Sequence, residues 1–314
     1  RGRGFDSLSS RKMLTPTDWT EYELLDAGLS AEASAKAEGG MKLERWKGIV
    51  LARPDPTAIW PRSLADSEWQ MADGTYTRSK AGGGKWHWRK KIPHEWQVAY
   101  GNLQFIIRPT NFKHTGLFPE QAVNWDWLRE SIKSESHKVN KVQKVHKVCK
   151  VLNLFAYTGA ATVACAKAGA EVTHVDSAKG MVEWARENAN LNGVEARWIV
   201  DDVVKFVERE KRRGNHFDGI IMDPPSYGRG AEKETWKIER DLYPLIQTCV
   251  GVLSENPLFF LINSYTAGLS AIVMKNILEI ALKKFGGIIE YEELGLLSAT
   301  GILLPAGTTA RWSA

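Results

Sequence analysis

The chain has 314 residues, of which 43% are hydrophobic and 25% charged, and carries a formal net charge of +5. That balance belongs to a globular protein of one large or two ordinary domains and excludes disordered and fibrous classes. The longest apolar run, Pro257 to Ile262, is far short of the roughly 18 residues a membrane span needs, so a soluble, cytoplasmic protein is expected.

Three cysteines, Cys149, Cys165 and Cys249, form no C-x-x-C pair, and the seven histidines do not join them at zinc-ligand spacing. Neither a disulfide framework nor a metal centre is expected. The mild positive charge suits a nucleic-acid partner without requiring one.

Residues 1–18 read as an Arg/Ser-rich tail. From Trp19 to about residue 110 the chain breaks into short strand-like runs separated by Gly, Pro and Asp, at Tyr22 to Leu25, Gly48 to Arg53, Gly74 to Arg78, Lys85 to Lys91, Glu95 to Tyr100 and Leu103 to Arg108. This predicts a small, mostly β domain over 19–110. Ala31 to Gly40 reads as a flexible excursion, and Arg62 to Gln70 as a loop or a single helical turn. Nine of the thirteen tryptophans precede residue 130, and some sit among basic residues, as in Lys85-Trp-His-Trp-Arg-Lys-Lys91. On a strand Trp86 and Trp88 share one face. They form either a half-buried wall or a stacking platform for single-stranded RNA.

Between Ser131 and Val151 runs a three-residue repeat, His137-Lys-Val to Cys149-Lys-Val. Its period matches neither helix nor strand, so 131–147 reads as a basic, linker-like insert. Strands and helices then alternate. Strands are predicted at Val148 to Phe155, Glu171 to Val175, Ala196 to Val200, Phe217 to Met222, Leu258 to Ile262 and Ile288 to Glu293, and helices at Ala178 to Leu191, Val203 to Arg212 and Ser270 to Phe285. Such alternation gives an α/β domain with a mostly parallel sheet covered on both faces.

A parallel sheet of this kind binds ligands beyond the carboxyl ends of its strands, beside the first one. The first strand ends in Asn153-Leu-Phe-Ala-Tyr-Thr-Gly159, with one glycine where a dinucleotide fingerprint needs three, so the loop suits a ligand without phosphates. The second ends at Asp176, where a carboxylate can accept both hydrogen bonds of a ribose diol. The third is followed by Asp201 and Asp202, which could accept from an exocyclic amine, although Asp202 is also placed to cap the next helix. The fourth ends in Asp223-Pro-Pro-Ser-Tyr227, a stiff loop that opens on a carboxylate in need of a partner or a task.

In these motifs, and in Phe112-Lys-His-Thr-Gly-Leu-Phe-Pro-Glu-Gln121, the chain resembles the class I S-adenosylmethionine (AdoMet) dependent methyltransferases. Within them it resembles the bacterial large-subunit ribosomal RNA base methyltransferases of the cytosine-C5 and guanine-N7 group. The resemblance implies a Rossmann-like domain over 111–314 with a mostly parallel seven-stranded sheet, AdoMet as cofactor and ribosomal RNA as partner. It places Tyr157 and Gly159, with Asn153, Phe155 and Thr158, around the methionine end of AdoMet. It places Asp176 and Ser177 at the ribose, Asp201 and Asp202 near the adenine, Asp223 beside the methyl, and Phe118 and Gln121 over the cofactor.

The cytosine enzymes of the group carry a cysteine just after the fifth strand, because attack at C5 needs a thiolate on C6. Here the segment reads Asn263-Ser-Tyr-Thr266. Transfer to an atom with its own lone pair needs only placement and a proton acceptor. Asp223, Pro224, Ser226, Tyr227 and Asn263 are the candidates for holding the acceptor. A small-molecule or protein methyltransferase, and a non-catalytic RNA-binding protein of the same fold, stay open as alternatives.

Overall fold

A computed structural model describes residues 13–31, 39–79, 83–139, 148–229, 235–266 and 268–314. The front of the molecule is a five-stranded sheet of β1 (Tyr22–Gly28), β2 (Met41–Trp46), β3 (Ile49–Pro54), β4 (Gly74–Arg78) and β5 (Gly84–Trp88), paired in that order. Only β3 and β4 run parallel, joined through the short helix α1 (Asp66–Gln70). Strand β2 is not anticipated by the sequence pattern, because Glu44 sits among its inward-facing residues.

That glutamate is fully buried and fully paired. Arg53 donates to it from Nε at 2.6 Å and Nη2 at 2.9 Å, and Tyr22 from its hydroxyl at 2.9 Å. Asp26 is buried in the same sheet and accepts from Ser63 N, Leu64 N and Trp69 Nε1 at 2.9 to 3.1 Å. Trp86 and Trp88 stack at 4.9 Å and 12°. Trp86 Nε1 donates to Thr110 O at 2.9 Å, and a Cβ on Gly74 would strike the Trp88 ring at 2.2 Å. The pair thus packs over β4 on one side, while Trp88 stays 41% exposed on the other.

Strands β6 (Trp96–Tyr100) and β7 (Leu103–Ile107) form a separate hairpin. A 3-10 turn, Pro119–Gln121, leads into α2 (Ala122–Val139). Residues 131–139, read from sequence as part of a linker, are thus helical. Trp125, Leu128 and Ile132 at i, i+3 and i+7 are buried, and that stripe carries the helix into the repeat. Residues 140–147 of the repeat, 32–38 of the Ala/Gly-rich excursion and 1–12 of the tail lie outside the described residues.

The second sheet contains β8 (Lys150–Leu154), β9 (Glu171–Asp176), β10 (Arg197–Val200), β11 (Gly219–Met222), β14 (Phe259–Ser264), β15 (Ile288–Leu297) and β16 (Leu303–Ser313). Its order is β10-β9-β8-β11-β14-β16-β15, parallel except for β16, which is antiparallel to both neighbours. This is the expected mostly parallel seven-stranded sheet. Its helices are α3 (Ala160–Lys167), α4 (Lys179–Leu191), α5 (Val203–Arg212), α6 (Ile238–Val250) and α7 (Ala271–Ala281), and a small ribbon of β12 (Tyr227–Arg229) and β13 (Thr235–Lys237) follows β11. Every residue of β11 and β14 is buried, as strands covered on two faces must be.

The two regions share one core. Trp46 and Leu51 of the front sheet cluster with Phe105, Trp125, Val163, Leu296 and Leu304. The β6–β7 hairpin docks on α4, where Asn188 and Asn192 accept from Ile106 N and Gln104 N at 2.9 Å. Leu14, from the stretch expected as tail, bridges to Leu294. Among the described residues no helix is long and apolar enough to cross a membrane.

Candidate functional site

The loop after β8 is built from three left-handed residues, Phe155 (φ 53°), Tyr157 (φ 50°) and Gly159 (φ 81°). Two of them carry side chains, so the surroundings must hold the strain. Tyr157 N donates to Asp176 Oδ2 at 2.9 Å, Thr158 Oγ1 to Gly116 O at 2.5 Å, and Asn188 Nδ2 to Thr158 O at 2.9 Å. Asn153 Nδ2 donates to Thr162 Oγ1 at 2.9 Å. The side chains of Asn153 and Thr158 thus help to shape the loop. Gly159 has a second reason to be glycine: a Cβ would come within 2.8 Å of Ala185 Cβ, so its absence lets α3 start directly against α4.

Asp176 closes the outer side. It accepts from Tyr157 N and, at 2.9 Å, from Ala178 N, yet burial still pushes its carboxyl up. Ser177 beside it is exposed. Asp202 Oδ1 accepts from Lys205 N at 2.9 Å and caps α5, while Asp201 accepts from Asp202 N at 2.8 Å and pairs with Arg209. Both aspartates have structural work at this strand end.

A narrow cleft of about 70 Å³ at the ends of β8, β11 and β14 brings together Phe118, Gln121, Asn153, Phe155, Tyr157, Thr158, Gly159, Asp223 and Asn263. Asp223 makes no hydrogen bond to the described residues, and burial, then the nearby Glu120 charge, pushes its carboxyl up to about 7. Asn263 Oδ1 accepts from Asn124 Nδ2 at 2.9 Å, and Asn124 also donates to Gln121 Oε1 at 2.7 Å. Gln121 Nε2 donates in turn to Tyr265 OH at 2.8 Å, and Arg311 Nε on β16 anchors the chain at Asn124 Oδ1, 2.7 Å away. The amide of Asn263 is thereby fixed with its Nδ2 left to donate.

Phe118 packs between Tyr157 (5.6 Å) and Tyr265 (5.4 Å) and forms the roof. Pro224, Ser226 and Tyr227 do not line this cleft. Ser226 Oγ is 2.5 Å from Thr266 Oγ1, at the edge of a neighbouring cavity of about 500 Å³, and Tyr227 is 51% exposed on β12. Sequence reasoning passed over Glu120, which is 3% exposed with Oε2 unpartnered. Only its burial marks it.

An open sheet of this order, with a left-handed loop after its first strand and, at the end of its fourth, an aspartate without a hydrogen bond among the described residues, defines a class I methyltransferase. Residues 83–254 match the family profile described as S-adenosylmethionine-dependent methyltransferase, and the chain belongs to that family; its cofactor is AdoMet.

The SAM-dependent methyltransferase from Agrobacterium tumefaciens is 32% identical, with 97% of this chain and 94% of that one covered and a TM-score of 0.85. SMU.776, solved with SAH, is 19% identical at a TM-score of 0.69, with 95% and 76% covered, and shows the fold alone. Curated relatives named "Ribosomal RNA large subunit methyltransferase K/L" include those of Syntrophotalea carbinolica (29% identical, 60% of this chain, 25% of that protein) and Pseudoalteromonas atlantica (31%, 50% and 20%). The match spans a quarter or less of those relatives' length.

Proposed function

We propose that the chain methylates a base of RNA, ribosomal RNA foremost, at a nitrogen with its own lone pair, and works in the cytoplasm. One observation carries this reading: the strand ends that hold Asp223 and Asn263 have no thiol near them. Cys165 and Cys249 are buried in α3 and α6, their thiols pushed up by burial, and Cys149 lies at the opposite, amino end of β8. Within the cytosine-C5 and guanine-N7 group, this favours the guanine-N7 type of acceptor. The names of the K/L relatives and the net positive charge support an RNA substrate.

AdoMet, when bound, supplies an electrophilic methyl. The protein's own task is placement. Asp176 offers carboxylate oxygens to a diol, Tyr157 and Phe118 keep water from the cleft, and Asn263 Nδ2 donates to a carbonyl of the acceptor base. Asp223 accepts from the base, or takes up the released proton where the acceptor nitrogen carries one. Asp201, Asp202, Ser177, Ser226 and Tyr227 stand at the margins.

A filter assay with tritiated AdoMet and undermethylated ribosomal RNA, followed by nucleoside analysis, tests this. Label in an RNA purine is expected. Label confined to protein or small molecules would sink the RNA assignment, and labelled 5-methylcytidine would overturn the thiol argument.

A further inference from the structure

A second cavity, of about 190 Å³, lies between the two sheets and takes its walls from both. The front sheet supplies Lys42 and Arg53, and the segment before α2 supplies Lys113, His114, Phe118 and Glu120. Leu117 and Phe118 also line the cofactor cleft, so the two spaces are neighbours. On its other side it shares Thr57, Tyr265, Pro305 and Gly307 with the 500 Å³ cavity that Thr266 also lines.

The cations around it crowd one another. Lys113 is held down to about 8, first by burial and then by Lys42, Arg78 and Arg53, against a partial offset from Asp55. His114 is pushed to about 4 by burial and the same cations. The nearby carboxylates are already engaged, and they engage Arg53 and Lys42 but not Lys113. Glu44 is taken by Arg53 and Tyr22. Lys42 is itself balanced, by Asp55 at 3.5 Å and Glu44 at 3.6 Å, and Glu120 is raised toward its neutral form, chiefly by burial. Lys113 Nζ has only Pro54 O, at 3.4 Å. Arg78 stands outside the cavity lining, at the end of β4, which reaches the segment before Lys113 through Tyr76 OH on Asn111 O at 3.0 Å; its exposed side chain makes no hydrogen bond or ion pair among the described residues. Like charges gathered by two separate elements beside a cleft attract a multivalent anion.

We propose that Arg78 and Lys113, on the electropositive side of this cavity, bind the RNA phosphate adjacent to the acceptor base, so that the front sheet contributes to the acceptor site. The base then passes the edge formed by Phe118 and Tyr265 to reach Asp223 and Asn263. This rests on the RNA reading above and adds to it a place for the backbone. It also gives the front domain a role other than that of a detached reader: its contacts lie beside the cofactor cleft. Phosphate contacts of this kind position the strand without reading sequence.

The test compares wild type with Arg78→Glu, Lys113→Ala and, as a control on the far face of α5, Arg212→Ala. Each is assayed with tritiated AdoMet and undermethylated ribosomal RNA across about 50 to 200 mM salt, and AdoMet affinity is measured by calorimetry. Arg78→Glu and Lys113→Ala should raise KM for RNA on the order of tenfold and reduce the salt slope by about 1 each. Their kcat and AdoMet affinity should be unchanged, the latter showing that the fold is intact. Arg212→Ala should match wild type. If wild type labels RNA and the two variants keep its KM and slope, the phosphate site is wrong while the functional reading stands. If wild type binds AdoMet but labels no RNA, the functional reading fails and this site with it.

Discussion

The front sheet and the cofactor sheet both bury carboxylates, and they treat them differently. Asp26 and Glu44 in front are enclosed by donors, and Arg53 and Lys42 hold Glu44 at about 2 in spite of its burial. Asp223 is partly buried and Glu120 fully, yet among the described residues Asp223 has no hydrogen bond and one oxygen of Glu120 has no partner. A buried charge that is fully paired fixes geometry; one left unpaired is held ready for something that arrives later.

Mutating each kind should give opposite signatures. Asp223→Asn should cut kcat by about 100- to 10,000-fold. Because its carboxyl is raised to about 7, the ionised form that accepts best from the base fills only as pH climbs past that value, so wild-type activity should rise with pH through about 7. The same raised value means the folded protein holds a proton the unfolded chain would release, so the native charge costs stability at higher pH. Asp223→Asn should therefore melt higher than wild type above pH 7. A flat pH profile, or a variant of near wild-type rate, would remove Asp223 from the chemistry.

Glu44→Ala should do the reverse, costing roughly 3 to 5 kcal/mol in denaturant unfolding by stranding Arg53. Its carboxyl lies below its ordinary 4.5 in the folded state, so this stabilisation is present above that pH and fades as pH falls toward 2. A loss that persisted undiminished at pH 2 would contradict the pairing argument.

Gly159→Ala should cost about 1 to 3 kcal/mol through strain at positive φ and contact with Ala185, and Ala185→Gly should restore part of it. No rescue in the double variant would mean that the steric contact is not what matters. Asp202→Ala is the mildest. Loss of its cap should cost about 1 kcal/mol, and calorimetry decides whether the side chain also meets the adenine: a tenfold weaker AdoMet affinity says it does, an unchanged one that capping is its whole role.

The parallel strands were legible because Gly219-Ile-Ile-Met222 and Phe259 to Ile262 are continuously apolar, and Gly159, Asp176 and Asp223 because they follow such strands. Strand β16 was not, since Pro305, Gly307 and Arg311 break its pattern and only pairing with β14 and β15 holds it extended. The helix α2 was hidden by the triplet repeat. Glu120 could not be found by spacing at all, because its environment is made by residues from Lys42 to Tyr265, distant in sequence. Ser226 and Tyr227 follow Asp223 closely in sequence, but the turn after Pro224 carries them out of its cleft.

Strand β1 is tied to the turn between β15 and β16. Ala299 N donates to Leu24 O at 2.8 Å, and Leu24 bridges to Ser298. Contacts that span some 270 positions make the topology strongly non-local, and loop-closure entropy must be met before they stabilise anything. A polypeptide wired this way should not come apart at a linker: a protease nick near residue 110 leaves two pieces still gripping each other, and unfolding should follow as a single cooperative step. During synthesis the front sheet emerges first and waits, its seam unfilled, until the ribosome has passed the hairpin that closes it.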